Sequence, residues 1–306
     1  MHEPRVRAMR HVSDLVSRIV AQNRMHAPFM ARALAGLSAL ELTDLDGYIG
    51  HCLGEGASME GLAADYKLVV DDTLKEQIYF WRHGEYRYSR YDEVASAVYQ
   101  NDTYMRAYMR GLALTAFFWP NHARMRRFFN GCLPSGGRGR YLEVGPGHGL
   151  YFVSALRRGA FERYDGIDIS PSSVALTERL LTSGPFGHFD GWRLTVGDFL
   201  TASLDDDFDM LVMGEVLEHV EEPARFLDRA RAATGPGSRV FVTTCVNSPA
   251  FDHIHLFRTV DELTLLVERA GLAVEDRLVL PYDGTSLEES MKKRLAVNVA
   301  MVLTHA

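Results

Sequence analysis

The sequence predicts an α/β protein: a doubly wound, mainly parallel seven-stranded sheet over residues 134–306, preceded by a mostly helical domain over residues 1–133. Three observations predict it. Short apolar runs alternate with helically periodic stretches from Arg140 onward, which calls for parallel strands joined by crossover helices. The first run, Tyr141-Leu-Glu-Val, leads into glycines at 145, 147 and 149, after which an apolar helical pattern starts at once. Before Pro134 the chain is mostly helical in its periodicity and lacks the alternation, which marks it as a separate unit. A chain of 306 residues suffices for one α/β domain of roughly 150–200 residues plus a smaller one.

In chain order, Leu15, Val16, Ile19, Val20, Met25 and Met30 recur with helical spacing between about Val12 and Leu37, ending at Gly36. The stretches 58–64 and 72–81 predict two more helices, with Ser58 and Asp71 or Asp72 as N-caps. Tyr86, Tyr88 and Tyr91, interspersed with Arg87 and Arg90, predict a short hairpin or wing. Helices follow at about 92–117, broken near Asn101-Asp102, and at about 121–132 after Pro120. The stretch Pro-Ser-Gly-Gly-Arg-Gly at 134–139 is the expected domain boundary. Beyond it strands are predicted at 140–144, 164–169, 192–196, 208–213 and 239–244, and helices at 171–181 behind the cap Ser170, at 222–232 and at 259–270 before Gly271. Residues 273–280 and 295–303 predict two final strands joined by a longer loop.

Glycine admits positive φ and lets a ligand approach where a Cβ would intrude. The first-turn N–H groups of the helix behind it can meet an anion. A dinucleotide fingerprint counted from Gly145 needs glycine at 150, where Leu150 stands. Asp168 ends the second strand, 23 residues after Gly145 (168 − 145), where a carboxylate can accept both hydroxyls of a ribose. A helix-capping aspartate is the plain alternative. Gly197-Asp198-Phe199 follows the third strand: Asp198 can accept from an adenine amino group while Phe199 or Leu200 packs on the ring, and an ordinary turn is the alternative. The fourth strand runs into Gly214-Glu-Val-Leu-Glu-His-Val-Glu-Glu-Pro, residues 214–223.

V-G-P-G-H-G, I-D-I, G-D-F and G-E-V-L-E-H-V, in this order and spacing, resemble the class I S-adenosylmethionine (SAM) methyltransferases, and among them the ubiquinone-biosynthesis-like O-methyltransferases of small molecules. The resemblance covers about Arg140 to Ala306. It implies a Rossmann-like sheet with a final antiparallel pair, and SAM held by Glu143, Gly145, Gly147, Asp168, Ile169, Asp198, Phe199, Gly214 and Glu215. The N-terminal helices resemble the dimerisation domains that precede many small-molecule O-methyltransferase domains, which implies a substrate cap and a homodimer. Glu215, Glu218 and His219, with His253 downstream, are similar to a pattern that binds a divalent metal in the plant small-RNA 2′-O-methyltransferase and some ubiquinone-pathway enzymes; His255 is the substitute ligand. A helical turn would put the first three on one face. The plain alternative is that this turn only caps the strand and packs beneath the cofactor.

Methyl transfer requires alignment, exclusion of water and, for a hydroxyl acceptor, loss of a proton. His148, His219, His253 and His255 gather around one mouth, and the last three are the expected bases. The expected acceptor is a small natural product methylated at a hydroxyl oxygen. Methylation of carbon or nitrogen in an amino-acid-derived metabolite, 2′-O-methylation at an RNA 3′ end and a catalytically silent binding partner are the alternatives. Tyr99, Tyr104, Tyr108 and Phe117-Phe118-Trp119 line a substrate cavity or fill a core. A net charge of −7 gives no basic field for nucleic acid or an anionic membrane, and Arg124, Arg126 and Arg127 are expected on a solvated helix face. Three separated cysteines, Cys52, Cys132 and Cys245, together with the lack of an apolar run of about 18 residues and of a signal-peptide core, predict a cytoplasmic protein with reduced thiols.

Overall fold

The computed structural model describes residues 9–94, 102–134, 139–159, 161–184, 186–204 and 207–306. The chain begins with helices α1 (Arg10–Gln22), α2 (Ala27–Ala35), α3 (Ala39–Gly54), α4 (Met59–His83), the short α5 (Tyr91–Val94), α6 (Asp102–Phe118) and α7 (Pro120–Cys132). Then follow β1 (Arg140–Val144), α8 (Leu150–Arg158), β2 (Arg163–Asp168), α9 (Pro171–Leu181), β3 (Trp192–Val196), β4 (Phe208–Gly214), α10 (Pro223–Ala232), β5 (Thr234–Val246), α11 (Val260–Arg269), β6 (Leu272–Leu280), α12 (Leu287–Lys293) and β7 (Val297–His305).

The strands form one seven-stranded sheet in the order β3-β2-β1-β4-β5-β7-β6. β1 to β5 pair in parallel, and β7 runs antiparallel between β5 and β6. Tyr141 to Val144 are all buried because helices cover both faces of β1. Side chains alternate across the pleat: Tyr141 joins the core shared with α8 and α9, whereas Leu142 and Val144 join the one beneath α10 and α11. The first core continues into the N-terminal helices through Leu15, Leu45, Phe117 and Phe129. Strand order reverses between β1 and β4, so the crevice at their carboxyl ends is the natural ligand position.

Several expectations are corrected by the fold. The periodic stretch from 12 to 37 is broken at Asn23, whose extended backbone ends α1 and whose side chain accepts from the Met25 N–H, so Met25 stands exposed in a separate 3₁₀ turn. The two helices expected between 58 and 81 are one, the 25-residue α4 capped by Ser58. No glycine or proline interrupts Leu62, Tyr66, Val69 and Phe80, and Asp71 and Asp72 pair with Lys67 and Lys75 within the helix instead of capping it. Helix α3 was legible in the S-x-x-E of Ser38 and Glu41, which form a reciprocal capping box. Residues 84–91 contain no strand; Tyr86 turns inward and Arg87 reaches both oxygens of Glu76 at 3.0 and 3.1 Å. The break near Asn101-Asp102 adjoins residues 95–101, which lie outside the described set with Tyr99; Asp102 opens α6. The loop before β7 carries α12, capped by Ser286. β5 begins at Thr234, five residues before the expected start at Arg239.

Helices α4 and α6 touch backbone to backbone at Gly111. A Cβ there would lie 2.2 Å from the Asp65 carbonyl oxygen and 2.8 Å from Val69 Cγ2. Gly111→Ala is expected to destabilise the protein by about 1–3 kcal/mol through forced separation of the two helices. Gly131→Ala in α7, where a Cβ meets nothing within 4 Å, is expected to be neutral or slightly stabilising. Denaturant titration of the two variants checks the contrast.

Candidate functional site

A cavity of about 620 Å³ opens at the crevice between β1 and β4, within the size range of small-molecule sites. Its floor is the turn after β1. Gly145, Gly147 and Gly149 take φ of 67°, 54° and 78°, a region that side chains with a Cβ populate only under strain. A Cβ on Gly149 would also press on Thr177 at 3.0 Å. The turn is held to β2 by the Gly145 N–H on the Ile167 carbonyl (2.8 Å) and by the Gly147 N–H on Asp168 Oδ2 (3.2 Å). The other oxygen of Asp168 accepts from the Ser170 N–H at 2.8 Å. Burial raises the Asp168 carboxyl and these two backbone donors oppose the rise.

Glu143 lies under the turn with 2 % exposure and accepts a hydrogen bond from the Tyr141 hydroxyl. Burial pushes its carboxyl up to about 8. Ile169, 51 % exposed, and Asp198 line the cavity on the β2–β3 side. Asp198 Oδ1 accepts from the Leu200 N–H at 2.9 Å, while the Phe199 ring is buried against Phe226 at 5.7 Å. Gly214 closes the far wall, with no room beyond Tyr151 Cδ2, 3.1 Å from a Cβ at that position.

The E-V-L-E-H segment does not form one helical turn. Glu215 sits in the left-handed region at φ 54°, and a 3₁₀ turn covers only Leu217–His219. Glu218 is fully buried beneath the cavity; its Oε2 accepts from Thr244 Oγ1 at 2.7 Å, and burial followed by the Glu215 charge raises its carboxyl well above the usual range. His219 donates its Nδ1–H to the Asp252 carbonyl (3.0 Å) and His253 donates its own to the Ser248 carbonyl (2.7 Å). In the neutral tautomer that these bonds select, the lone pair of each imidazole lies on Nε2. Burial lowers His253 to about 4, so it is neutral near neutral pH.

The structure therefore gathers Glu143, Gly145, Gly147, Asp168, Ile169, Asp198, Phe199, Gly214, Glu215, His219 and His253 around one cavity. Donor atoms of Glu218, His219 and His253 lie within 4.8 Å of one another, a spacing that one cation can bridge; Glu215 falls outside that trio and groups with Glu218 and Cys245. His255 is not on the cavity wall: its N–H bonds the Glu218 carbonyl and its ring lies 4.5 Å from Phe257. Of the aromatic residues, Tyr108 and Trp119 face the cavity, Phe117 and Phe118 fill the core, and Tyr104 bonds Asp72 at 2.8 Å.

Helical spacing did not reveal Arg126. Arg124 and Arg127 are exposed as expected, but Arg126 is 5 % exposed and lines the cavity. Its guanidinium stacks on the Phe117 ring at 4.1 Å, and its buried Nη2 has no hydrogen-bond partner. Burial lowers it and the nearby acids Asp44 and Glu41 oppose that, yet both acids are engaged elsewhere, with Arg157 and Arg127. His122, one turn earlier, accompanies it on the wall.

A family model described as a methyltransferase domain matches residues 118–294, more than half of the chain. The ubiquinone biosynthesis O-methyltransferase of Aeromonas salmonicida (strain A449) is 28 % identical over 179 residues, 52 % of this chain and 73 % of that protein. The protein of the same name from Xylella fastidiosa (strain 9a5c) is 32 % identical over 105 residues, 34 % of this chain and 41 % of its own. Among solved structures, mitomycin 7-O-methyltransferase superposes with a TM-score of 0.54 at 16 % identity, covering 81 % of this chain and 70 % of that one. A methyltransferase in complex with the Haloferax volcanii Trm112 activator reaches 0.51 at 16 % identity, over 68 % and 98 % of the two chains. These two likenesses speak to the fold. On the family match, which spans more than half of its length, the chain belongs to the family of S-adenosylmethionine-dependent methyltransferases.

Proposed function

We propose that the protein transfers the methyl group of SAM to a hydroxyl oxygen of a small natural-product acceptor, with residues 1–133 forming the cap over the acceptor. The observation that carries this is one cavity with the glycine turn and Asp168 on one wall and, on the other, a His219 imidazole whose Nδ1–H is already taken. The cap contributes Val69, Met105, Tyr108, Leu112 and Trp119 to the same cavity, an apolar lining suited to excluding water. A cavity of about 620 Å³ is of the size that takes small molecules.

The orphaned guanidinium of Arg126 and the left-handed glycines fit a zwitterionic, nucleoside-bearing ligand. Arg126 takes the carboxylate of its amino-acid end, and Glu143 the ammonium. Asp168 accepts the ribose hydroxyls and Asp198 the adenine amino group, with Ile169 and Leu200 against the base. SAM supplies a methyl group on a positively charged sulfur, open to in-line attack. His219 accepts the acceptor's proton at Nε2, with Asp252 fixing the ring through Nδ1. Glu218, His219 and His253 are also the residues that would hold a divalent cation, which would supply a Lewis acid for the acceptor oxygen. Turnover of SAM with candidate phenols and alcohols, with the product's mass and fragmentation pattern, tests the function; a product methylated on carbon or nitrogen would overturn the oxygen assignment.

His219→Ala is expected to lower kcat by about 10²–10⁴ while leaving the dissociation constant of S-adenosylhomocysteine (SAH) unchanged. Elemental analysis before and after chelation tells whether the lost group is a base alone or also a metal ligand. Arg126→Met is expected to weaken SAH by about 10–100-fold, the scale of a charge-assisted hydrogen bond, as calorimetry would read. Glu143 titrates at about 8 when folded against an ordinary 4.5. The folded state holds that proton longer, so the stability it contributes is complete below 4.5 and is lost as pH rises through 8. Glu143→Gln should therefore gain stability relative to the wild type as pH is raised from 5 to 8, measured on the ligand-free protein by thermal unfolding.

A further inference from the structure

The sheet side of the nucleoside half is open above Asp168, Ile169 and Asp198; Ile169 keeps 51 % of its surface exposed although it lines the cavity. Facing it is the strap of residues 84–90 that leads from α4 into the short helix α5, whose first residue is Tyr91. Its course is fixed at several points. Gly84, left-handed at φ 77°, ends α4. The Tyr86 hydroxyl accepts from the Ser248 N–H at 3.1 Å, and its ring lies 5.9 Å from that of His253. The Tyr88 ring meets Phe251 edge-on at 6.0 Å. The Tyr91 N–H donates to Glu221 Oε1 at 2.9 Å, and Val94, 1 % exposed, anchors the far end among Val69, Met105 and Ile254.

This course puts the Tyr91 side chain on the cavity wall, half-buried. Asp168, Ile169 and Asp198 line the same cavity as Tyr91, and burial, followed by the charges of Asp168 and Asp198, raises its phenol. Other cavity residues of the helical segment, such as Met105, Leu112 and Trp119, are apolar side chains of α6 and the α6–α7 junction. The other phenol on the wall, Tyr108, reaches Asp252 Oδ1 at 3.4 Å, whereas Tyr91 lines the cavity together with Asp168 and Asp198.

Building on the transferase reading, we propose that Tyr91 is a cofactor-binding residue: delivered by the strap and held by Glu221, its ring closes the nucleoside subsite from the side opposite the sheet. The helical segment therefore serves both substrates. α6 shapes the acceptor half, and the strap covers the ribose and adenine. The ring provides most of the effect, because stacking and burial of a planar face do not need the hydroxyl.

Calorimetric titration of SAH into the full chain tests this, with steady-state kinetics alongside. Tyr91→Ala is expected to weaken SAH by about tenfold and to raise KM for SAM in parallel, with KM for the acceptor unchanged. Tyr91→Phe should stay within about threefold of the wild type, and Glu221→Gln, which weakens the anchor and keeps the ring, should shift SAH affinity in the same direction by less. An unchanged SAH affinity in a Tyr91→Ala variant with a wild-type thermal midpoint would overturn the proposal, as would a loss confined to the acceptor KM. If Tyr91→Ala fails to fold, Tyr91→Leu gives the same reading with a core-compatible side chain. Wild-type protein that binds no SAH overturns this proposal and the transferase reading together, whereas wild-type binding with indifferent variants overturns this one alone.

Discussion

The site depends on the way one carboxylate is held. Asp168 ends β2 and uses its two oxygens on two backbone donors, the Gly147 N–H of the turn after β1 and the Ser170 N–H at the start of α9. It thereby joins the carboxyl ends of two parallel strands and the entry of a helix at one point. A buried carboxylate is costly unless donors meet it, and here the donors belong to the turn that must be fixed in place. The left-handed glycines can therefore be conformationally permissive without being loose. Every other group in the cavity is placed relative to that turn: Glu143 beneath it, Gly214 beside it and the cap above it.

The cavity collects features that a fold alone would not select. Glu215 is a non-glycine residue at φ 54° whose buried Oε1 has no hydrogen-bond partner among the described residues, next to a carboxyl at Glu218 that burial and the Glu215 charge raise well above the usual range. Arg126 is a buried guanidinium whose Nη2 has no hydrogen-bond partner among the described residues. Strain, an orphan acceptor and an orphan cation each cost stability in the empty protein. Their concentration around one void is the physical sign of a ligand that completes them.

Much of this was legible in the sequence, for local reasons. The alternation of strands and helices, the glycine turn, Asp168 and the G-D-F turn are encoded within a few residues of where they act, so position along the chain locates them. The E-x-x-E-H cluster was legible in its membership but not in its shape, because a left-handed residue at Glu215 cannot be inferred from spacing that also suits a helix. Arg126 was hidden by the same logic: three neighbouring arginines look alike in sequence, and only the packing of α7 over Phe117 sends the middle one inward. Tyr91 is the opposite case. Its place after Tyr86 and Tyr88 suggested a hairpin or wing, but the backbone at 84–90 forms no ladder and Tyr91 opens the short helix α5, so the tyrosines reflect side chains turned inward and not strand pairing.

Two scales of packing support the cap. Most of the N-terminal helices share a continuous apolar core with one face of the sheet, running from Leu15 through Phe117 to Tyr141 and Val302. A separate, much smaller cluster holds Val69, Val94, Met105, Tyr108, Met109 and Ile254, four of which, Val69, Met105, Tyr108 and Met109, line the cavity. Val94 of that patch ends the segment that carries Tyr91, and Met109 lies 3.0 Å from where a Cβ on Gly147 would stand, so drift at a handful of positions in α4, α5 and α6 is felt at both ends of the cavity at once, and neither end can diversify without the other registering it.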